Sequence, residues 1–229
     1  MATPLLISFS GMDGAGKSTQ LENLRAALHA AGLSTRLLAF WDDVVVGAKY
    51  REGFVHKALG SERGVGAPGR PVNRRDKNVR AWYLNALRHF LYLLDALNLR
   101  RVLAREQRAR VDVVIFDRYI YDELANLNLR NPLTRGYIRA VRAMVPRPHV
   151  AYLLDAEPDS ARARKPEYPL AFLELSRRAY FELAALLGTM TIIPAQELAE
   201  AKSAVLKAAE QQLASTGRKV NLAGSLSAA

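Results

Sequence analysis

Short apolar runs alternate with longer amphipathic stretches along most of the 229-residue chain. Five of the runs are too short for helices and are rich in Ile, Leu, Val and Phe, which is typical of buried strands. These strands are predicted at residues 4–10, 34–40, 111–117, 149–155 and 189–195. Strands that alternate with helices predict an α/β fold, with a parallel sheet covered by helices on both faces.

Helices are predicted wherever apolar residues recur at intervals of three and four. The first begins at Lys17, and others are expected after residue 119, around 135–144, and at 170–187 and 196–213. The longest pattern covers 81–108 and carries an apolar stripe of Leu84, Leu87, Leu91, Leu94 and Leu97. A stripe at this spacing is first of all expected to be core.

Length and apolar content predict one domain, residues 1–214. Within it, glycines, prolines and arginines interrupt the pattern over 41–80, which is predicted to be an irregular basic insertion. Such an insertion either lines a ligand site or is a mobile solvated loop. Residues 215–229 are small and polar, which predicts a flexible tail.

Composition narrows the class of protein. The chain has no cysteine, which excludes disulfides and thiolate-bound metals. It shows neither an apolar run of membrane-spanning length nor a secretion signal, so we expect a cytoplasmic protein without a membrane partner. The net charge of +11 favours acidic partners such as nucleotides, although a genome that prefers Arg would explain it equally well.

The stretch F-S-G-M-D-G-A-G-K-S-T-Q, residues 9–20, lies between the first strand and the first helix and fits G-x-x-x-x-G-K-[ST]. Glycines let a loop bend tightly around phosphates, so that backbone N–H groups and the helix N-terminus hold them. We predict that the ATP phosphates are bound by Gly11, Gly14, Ala15, Gly16, Lys17, Ser18 and Thr19. Lys17 would bridge the β- and γ-phosphates, and the Ser18 hydroxyl would ligate Mg²⁺.

A carboxylate on the Mg²⁺ side is expected at the end of a neighbouring strand. Asp117 follows four apolar residues at the end of the third strand, where ligands of such sheets bind. It is therefore the second predicted metal residue. Arg118 follows directly, where a motor-type ATPase would commonly carry Glu to activate water. An arginine suits an anionic acceptor beside the γ-phosphate instead.

The chain resembles the thymidylate kinase family of P-loop nucleoside monophosphate kinases. The matching stretches are F-S-G-M-D-G-A-G-K-S-T-Q, V-V-I-F-D-R-Y, H-V-A-Y-L-L-D-A-E-P-D-S-A-R-A-R, F-L-E-L-S-R-R-A-Y-F-E-L-A and T-I-I-P-A. They occur in the family's order and cover most of the chain outside 41–80. The resemblance implies a P-loop NTPase fold with three αβα layers, a five-stranded parallel sheet and a basic lid at about 160–169. It also implies phosphoryl transfer from ATP with Mg²⁺ to dTMP, and a homodimer.

The resemblance also implies roles for single residues. Asp13 matches the loop carboxylate that approaches the acceptor, and Arg118 matches the arginine that grips the acceptor phosphate. Because Ala15 stands where some members carry an arginine, the catalytic cations are expected from the lid, at Arg162, Arg164 and Lys165. The expected catalytic group is Asp13, Lys17, Arg118, Arg162, Arg164 and Lys165.

The departures from the family pattern cluster on the acceptor side. Ser10 stands where the family has Glu, and Asp122 stands where it has Ser. Tyr92 falls near the position of an aromatic that stacks on thymine, but Asp95 or Ala96 stands near the expected arginine. A buried Asp122 would need a polar partner from the substrate. The acceptor site is accordingly predicted at Asp13, Arg118, Tyr92, Asp122 and Arg51.

Three functions are consistent with this sequence. The best single hypothesis is a kinase that converts dTMP to dTDP. The first alternative is a P-loop ATPase that acts with nucleic acid, which the net charge supports. Against it, the basic run 63–80 has no aromatic residue on which bases could stack. The second alternative is a nucleotide-binding protein with another phosphoryl acceptor or none.

Overall fold

A computed structural model describes residues 3–48, 51, 82–218 and 220–225. All five strands are parallel and form one sheet in the order β2-β3-β1-β4-β5. The strands are β1 Leu5–Ser10, β2 Thr35–Ala39, β3 Val113–Asp117, β4 Val150–Leu154 and β5 Met190–Ile193. The predicted three-layer αβα fold is therefore confirmed, with strand ends shifted by one or two residues.

Helices connect the strands. Over the described residues they are α1 Lys17–Ala30, α2 Trp82–Glu106, α3 Ile120–Leu124, α4 Pro132–Met144, α5 Pro158–Arg164, α6 Leu170–Leu187, α7 Leu198–Ser215 and α8 Leu222–Ser225. A single π-helical turn, Phe40–Val44, directly follows β2. None of the helices in this part of the chain combines the length and the apolar character that a membrane crossing requires.

The core is the sheet interior. β1 and β4 are buried along their whole length, as are the first four residues of β3. In the pairing register, Phe9 lies beside Asp117 and Ser10 beside Leu153. The carboxyl ends of the three central strands therefore meet at one edge, where ligands of this sheet type bind.

The face of α2 that packs into the core differs from the predicted one. The buried residues of this helix are Tyr92, Asp95, Ala96, Leu99 and Leu103. Leu87 and Leu97 are exposed, so the prediction that the leucine stripe is core is wrong for these members. Both stripes have helical spacing, so periodicity alone could not choose between them.

Residues 220–225 also differ from prediction. Leu222 is fully buried, and its backbone N–H donates to Glu210 of α7. α8 packs against α1 and α7, so this part of the predicted 215–229 tail is docked on the domain. Of the predicted insertion 41–80, only residues 41–48 and 51 are described.

Candidate functional site

The loop between β1 and α1 has the backbone that a phosphate cradle needs. Gly11, Gly14 and Gly16 have φ values of 139°, 82° and 82°, a region that favours glycine. A side chain at Gly11 would collide with the carbonyl oxygen of Leu154. A side chain at Gly14 would collide with the carbonyl oxygen of Ala161 in α5. The loop is therefore packed closely between β4 and the helix of the predicted lid.

Lys17 is the first residue of α1 and is buried. Its Nζ donates to the carbonyl oxygens of Gly11 and Met12 at 2.8 and 2.9 Å, and lies 3.9 Å from a carboxylate oxygen of Asp13. Burial lowers the pKa of Lys17 to about 8, and the positive charge of Arg118 contributes in the same direction. A phosphate group would supply the counter-charge that this ammonium needs.

The other predicted phosphate residues lie in the loop and in the first turn of α1. Ala15 is buried, and its N–H donates to the Met12 carbonyl at 3.3 Å. Ser18 and Thr19 are exposed in the first turn of α1. The N-terminus of this helix thus presents hydroxyls and backbone N–H groups to an incoming anion.

Arg118 links the P-loop to the end of β3. Its φ of 64° lies in the left-handed region, which costs a non-glycine residue free energy and is often found at functional sites. Its N–H donates to the Phe9 carbonyl at 3.0 Å. Its guanidinium donates to Asp13 at 2.5 Å and to Asp122 at 3.3 Å. Four predicted site residues, Asp13, Lys17, Arg118 and Asp122, are therefore brought together.

Asp122 lies in the first turn of α3 and is buried. Besides Arg118, it accepts hydrogen bonds from the hydroxyls of Ser10 and Tyr180, both at 2.7 Å, and from the N–H of Tyr119 at 3.0 Å. All these donors belong to the protein. The expectation that Asp122 needs a partner from the substrate is therefore wrong.

The predicted acceptor residues Tyr92 and Arg51 belong to a second polar group against α2. Arg51 forms an ion pair with the buried Asp95. Tyr92 is buried and hydrogen bonded to Glu123 of α3. The pKa of Glu123 is raised to about 7, chiefly by burial and with a further contribution from the negative charge of Asp95. The two polar groups meet in α3, where Asp122 and Glu123 are neighbours.

The predicted lid cations lie in and just after α5, and all three are exposed. The Nε of Arg164 donates to the Ser160 carbonyl at 3.1 Å, and Lys165 lies 3.2 Å from Glu167. Neither of these two contacts joins a lid cation to the P-loop. What touches the loop is the α5 backbone at Ala161.

Sequence reasoning missed an arginine that holds the start of the lid. Arg177 of α6 donates two hydrogen bonds of 2.7–2.8 Å to Asp155 and two more to Glu157. Asp155 directly follows β4, so the strand-end rule that selected Asp117 could have found it. Tyr180 lies one helical turn further along α6, and a shared helix face was its only sequence signal.

The described residues include no group of three or more His, Cys, Asp or Glu side chains that could hold a metal by themselves. Mg²⁺ bound with a nucleotide needs only one or two protein ligands, since phosphates and water supply the others. The Ser18 hydroxyl and the Asp117 carboxylate are hard oxygen donors at the same edge of the sheet. They fit Mg²⁺ in type and number.

No family model matches the chain. Among proteins of similar sequence, a thymidylate kinase of Bifidobacterium longum subsp. infantis is 30% identical over 191 residues, 79% of this chain and 74% of that protein. A thymidylate kinase of Bifidobacterium longum strain DJO10A is 29% identical over 221 residues, 92% and 98% of the two chains. A probable thymidylate kinase of Methanosphaera stadtmanae is 25% identical over 183 residues, 78% and 83% of the two chains.

Proposed function

Because the chain belongs to the thymidylate kinase family, we propose that it is an ATP-dependent nucleoside monophosphate kinase, with dTMP as its acceptor. The observation that carries this proposal is the contact of Arg118 with Asp13 of the P-loop. It places a guanidinium suited to an acceptor phosphate directly beside the loop suited to the donor phosphates. A motor-type ATPase would commonly carry Glu at this position to activate water.

The reaction moves one phosphoryl group. A bond forms between an oxygen of the acceptor's 5′-phosphate and the γ-phosphorus, and the bond from the γ-phosphorus to the bridging oxygen of ADP breaks. Backbone N–H groups of the P-loop hold the donor phosphates, and Lys17 exchanges its carbonyl partners for phosphate oxygens. Ser18 and Asp117 would hold Mg²⁺, which neutralises charge on the β- and γ-phosphates. Arg118 orients the acceptor phosphate for in-line attack.

The lid completes this site. The transferring phosphoryl group carries negative charge that Lys17 alone does not balance. Arg162 and Arg164 lie in α5, whose backbone already touches Gly14, and Lys165 directly follows this helix. We propose that closure of the lid brings the three cations toward the phosphates. Closure also excludes water, which would otherwise compete with the acceptor as nucleophile.

We also propose that the enzyme is a homodimer paired through α2. Apolar side chains are exposed along one side of this helix at Tyr83, Leu87, Phe90 and Leu97. An apolar face of this kind is typical of an interaction surface.

An acceptor screen tests the function. The protein, ATP and Mg²⁺ are incubated with each nucleoside monophosphate in turn, while ADP release and the diphosphate product are both followed. We expect turnover with dTMP well above the rate without acceptor. Lys17→Ala should lower that turnover by about 10²–10³-fold, since one preorganised contact to the transferring group is lost. The variant should keep its fold, because glycines and backbone shape the loop.

Other outcomes would contradict the proposal in distinct ways. If DNA or RNA raises ATP turnover several-fold and no small molecule is phosphorylated, the nucleic-acid ATPase is the better description. If ATP binds but every monophosphate is left unchanged, the acceptor belongs to another chemical class or the chain only binds nucleotide.

A further inference from the structure

Arg118 is held from two sides. One guanidinium nitrogen donates to Asp13 in the P-loop at 2.5 Å, and the other donates to Asp122 in α3 at 3.3 Å. The side chain is 28% exposed, so part of the guanidinium still faces solvent. Two carboxylates therefore fix the plane of the guanidinium, while its exposed side can bind an anion.

Asp122 is fixed in turn by donors from three parts of the fold. One carboxylate oxygen accepts from the Tyr180 hydroxyl and from Arg118. The other accepts from the Ser10 hydroxyl, at the end of β1, and from the N–H of Tyr119. A carboxylate with its lone pairs used in this way has little freedom to rotate, and it is too buried to meet a substrate directly.

The contact between Ser10 and Asp122 joins two residues that are far apart in the sequence. Their side chains are hydrogen bonded to each other at 2.7 Å. Because the pair consists of one hydroxyl and one carboxylate, exchanging the two groups between these positions keeps the chemistry of the contact.

We propose that Asp122 is a positioning residue, which orients the Arg118 guanidinium toward the acceptor phosphate and is itself held by Ser10 and Tyr180. This replaces the role of acceptor ligand predicted for Asp122 from sequence. The proposal rests on the proposed kinase function, because orientation of Arg118 matters to catalysis only if an acceptor phosphate is bound.

Kinetics of Asp122→Asn test the proposal, with dTMP and ATP varied separately. Asparagine keeps the shape of the side chain but removes the charge that holds Arg118. We expect the KM for dTMP to rise by about 10- to 100-fold, the size of effect that a small misplacement of a binding group produces. The KM for ATP should stay near that of the wild type. Glu182→Gln, on the exposed side of α6, is the matched control.

A rescue experiment separates positioning from simple loss of structure. Asp122→Ser alone should show the same rise in the KM for dTMP. Adding Ser10→Glu to it returns a carboxylate to the contact, and the double variant should recover part of the lost affinity. If Asp122→Asn fails to fold, Tyr180→Phe replaces it, since this change removes one hydrogen-bond donor to the carboxylate. It should raise the KM for dTMP by a smaller factor and leave the KM for ATP near that of the wild type.

Nitrogen NMR of the arginine side chains tests the geometry without any acceptor. In the wild type we expect a distinct, slowly rotating guanidinium signal, assigned to Arg118 by its loss in Arg118→Lys. In Asp122→Asn the guanidinium of Arg118 should rotate faster, so that the separate signals of its nitrogens average to one. Failure of the wild type to phosphorylate dTMP would overturn the proposed acceptor, while the NMR result would still decide the geometry.

Equal increases in both KM values would overturn the positioning role. A double variant no better than Asp122→Ser, or an unchanged guanidinium signal in Asp122→Asn, would overturn it as well.

Discussion

Arg51 binds Asp95 through two parallel hydrogen bonds of 2.6 and 3.0 Å. Asp95 is fully buried and also accepts from the N–H of Val46 at 2.9 Å, while Arg51 donates to the Leu91 carbonyl at 3.2 Å. The pair therefore ties the segment after β2 to the middle of α2. In the structure, Arg51, which the family resemblance placed in the acceptor site, anchors this segment to the helix.

The first prediction concerns the cost of breaking this pair. Asp95→Ala leaves the Arg51 charge buried without its counter-ion, and should lower the free energy of unfolding by about 3–5 kcal/mol. The double variant Arg51→Met/Asp95→Leu removes both charges and should cost less than Asp95→Ala alone. Urea unfolding followed by circular dichroism measures both values.

Arg101→Ala, an exposed position on the same helix, is the matched control and should change stability by less than about 0.5 kcal/mol. If Asp95→Ala costs no more than this control, the pair contributes nothing to the fold. An acceptor role for Arg51 alone would then be the better explanation of its position.

The contrast between these residues shows what the sequence could predict. The positions of the five strands and of the P-loop follow from local pattern, because a short apolar run and a glycine-rich turn each carry their own conformational preference. The place of Asp117 at the end of β3 could also be predicted, because a polar residue directly after a buried apolar run lies at the edge of the sheet. The partners of Asp95 and Asp122 could not be found this way. Arg51, Ser10 and Tyr180 are distant in sequence, and only packing brings them together.

The second prediction uses Glu123, whose pKa is raised to about 7 mainly by burial. Its usual pKa is 4.5, so the folded protein holds this proton more tightly than the unfolded chain does. The contribution of Glu123 to stability is therefore largest below pH 4.5 and is lost as the pH rises to about 7. Above that range the ionised carboxylate costs about 3 kcal/mol.

Glu123→Gln removes the titration but keeps an oxygen that can accept from Tyr92. Relative to the wild type, the variant should gain about 3 kcal/mol of stability between about pH 4.5 and pH 8. Urea unfolding at a series of pH values measures the difference. Glu182→Gln, at an exposed position, is the matched control for the loss of one carboxylate. A difference for Glu123→Gln that does not change with pH would mean that this carboxyl group titrates normally.

The third prediction separates backbone strain from the contact between the P-loop and α5. Gly14 and Gly16 have the same φ of 82°, but only at Gly14 would a Cβ collide with the Ala161 carbonyl. Gly16→Ala should lose about 1 kcal/mol from strain alone. Gly14→Ala should lose more, because α5 must also move. Thermal unfolding without nucleotide measures both, and equal losses would mean that α5 yields freely at this contact.

The last prediction concerns the apolar side of α2. Tyr83 is 59% exposed and Phe90 56% exposed, and Leu87 and Leu97 extend the same face over about 21 Å of helix. If two copies pair here, Phe90→Glu places an unpaired charge inside the interface and should convert dimers to monomers at micromolar concentration. Leu133→Glu is the matched control, since Leu133 is 82% exposed but lies on α4. Light scattering after gel filtration gives the mass of each. A monomeric wild type, or a Phe90→Glu variant that stays dimeric, would contradict pairing through this face.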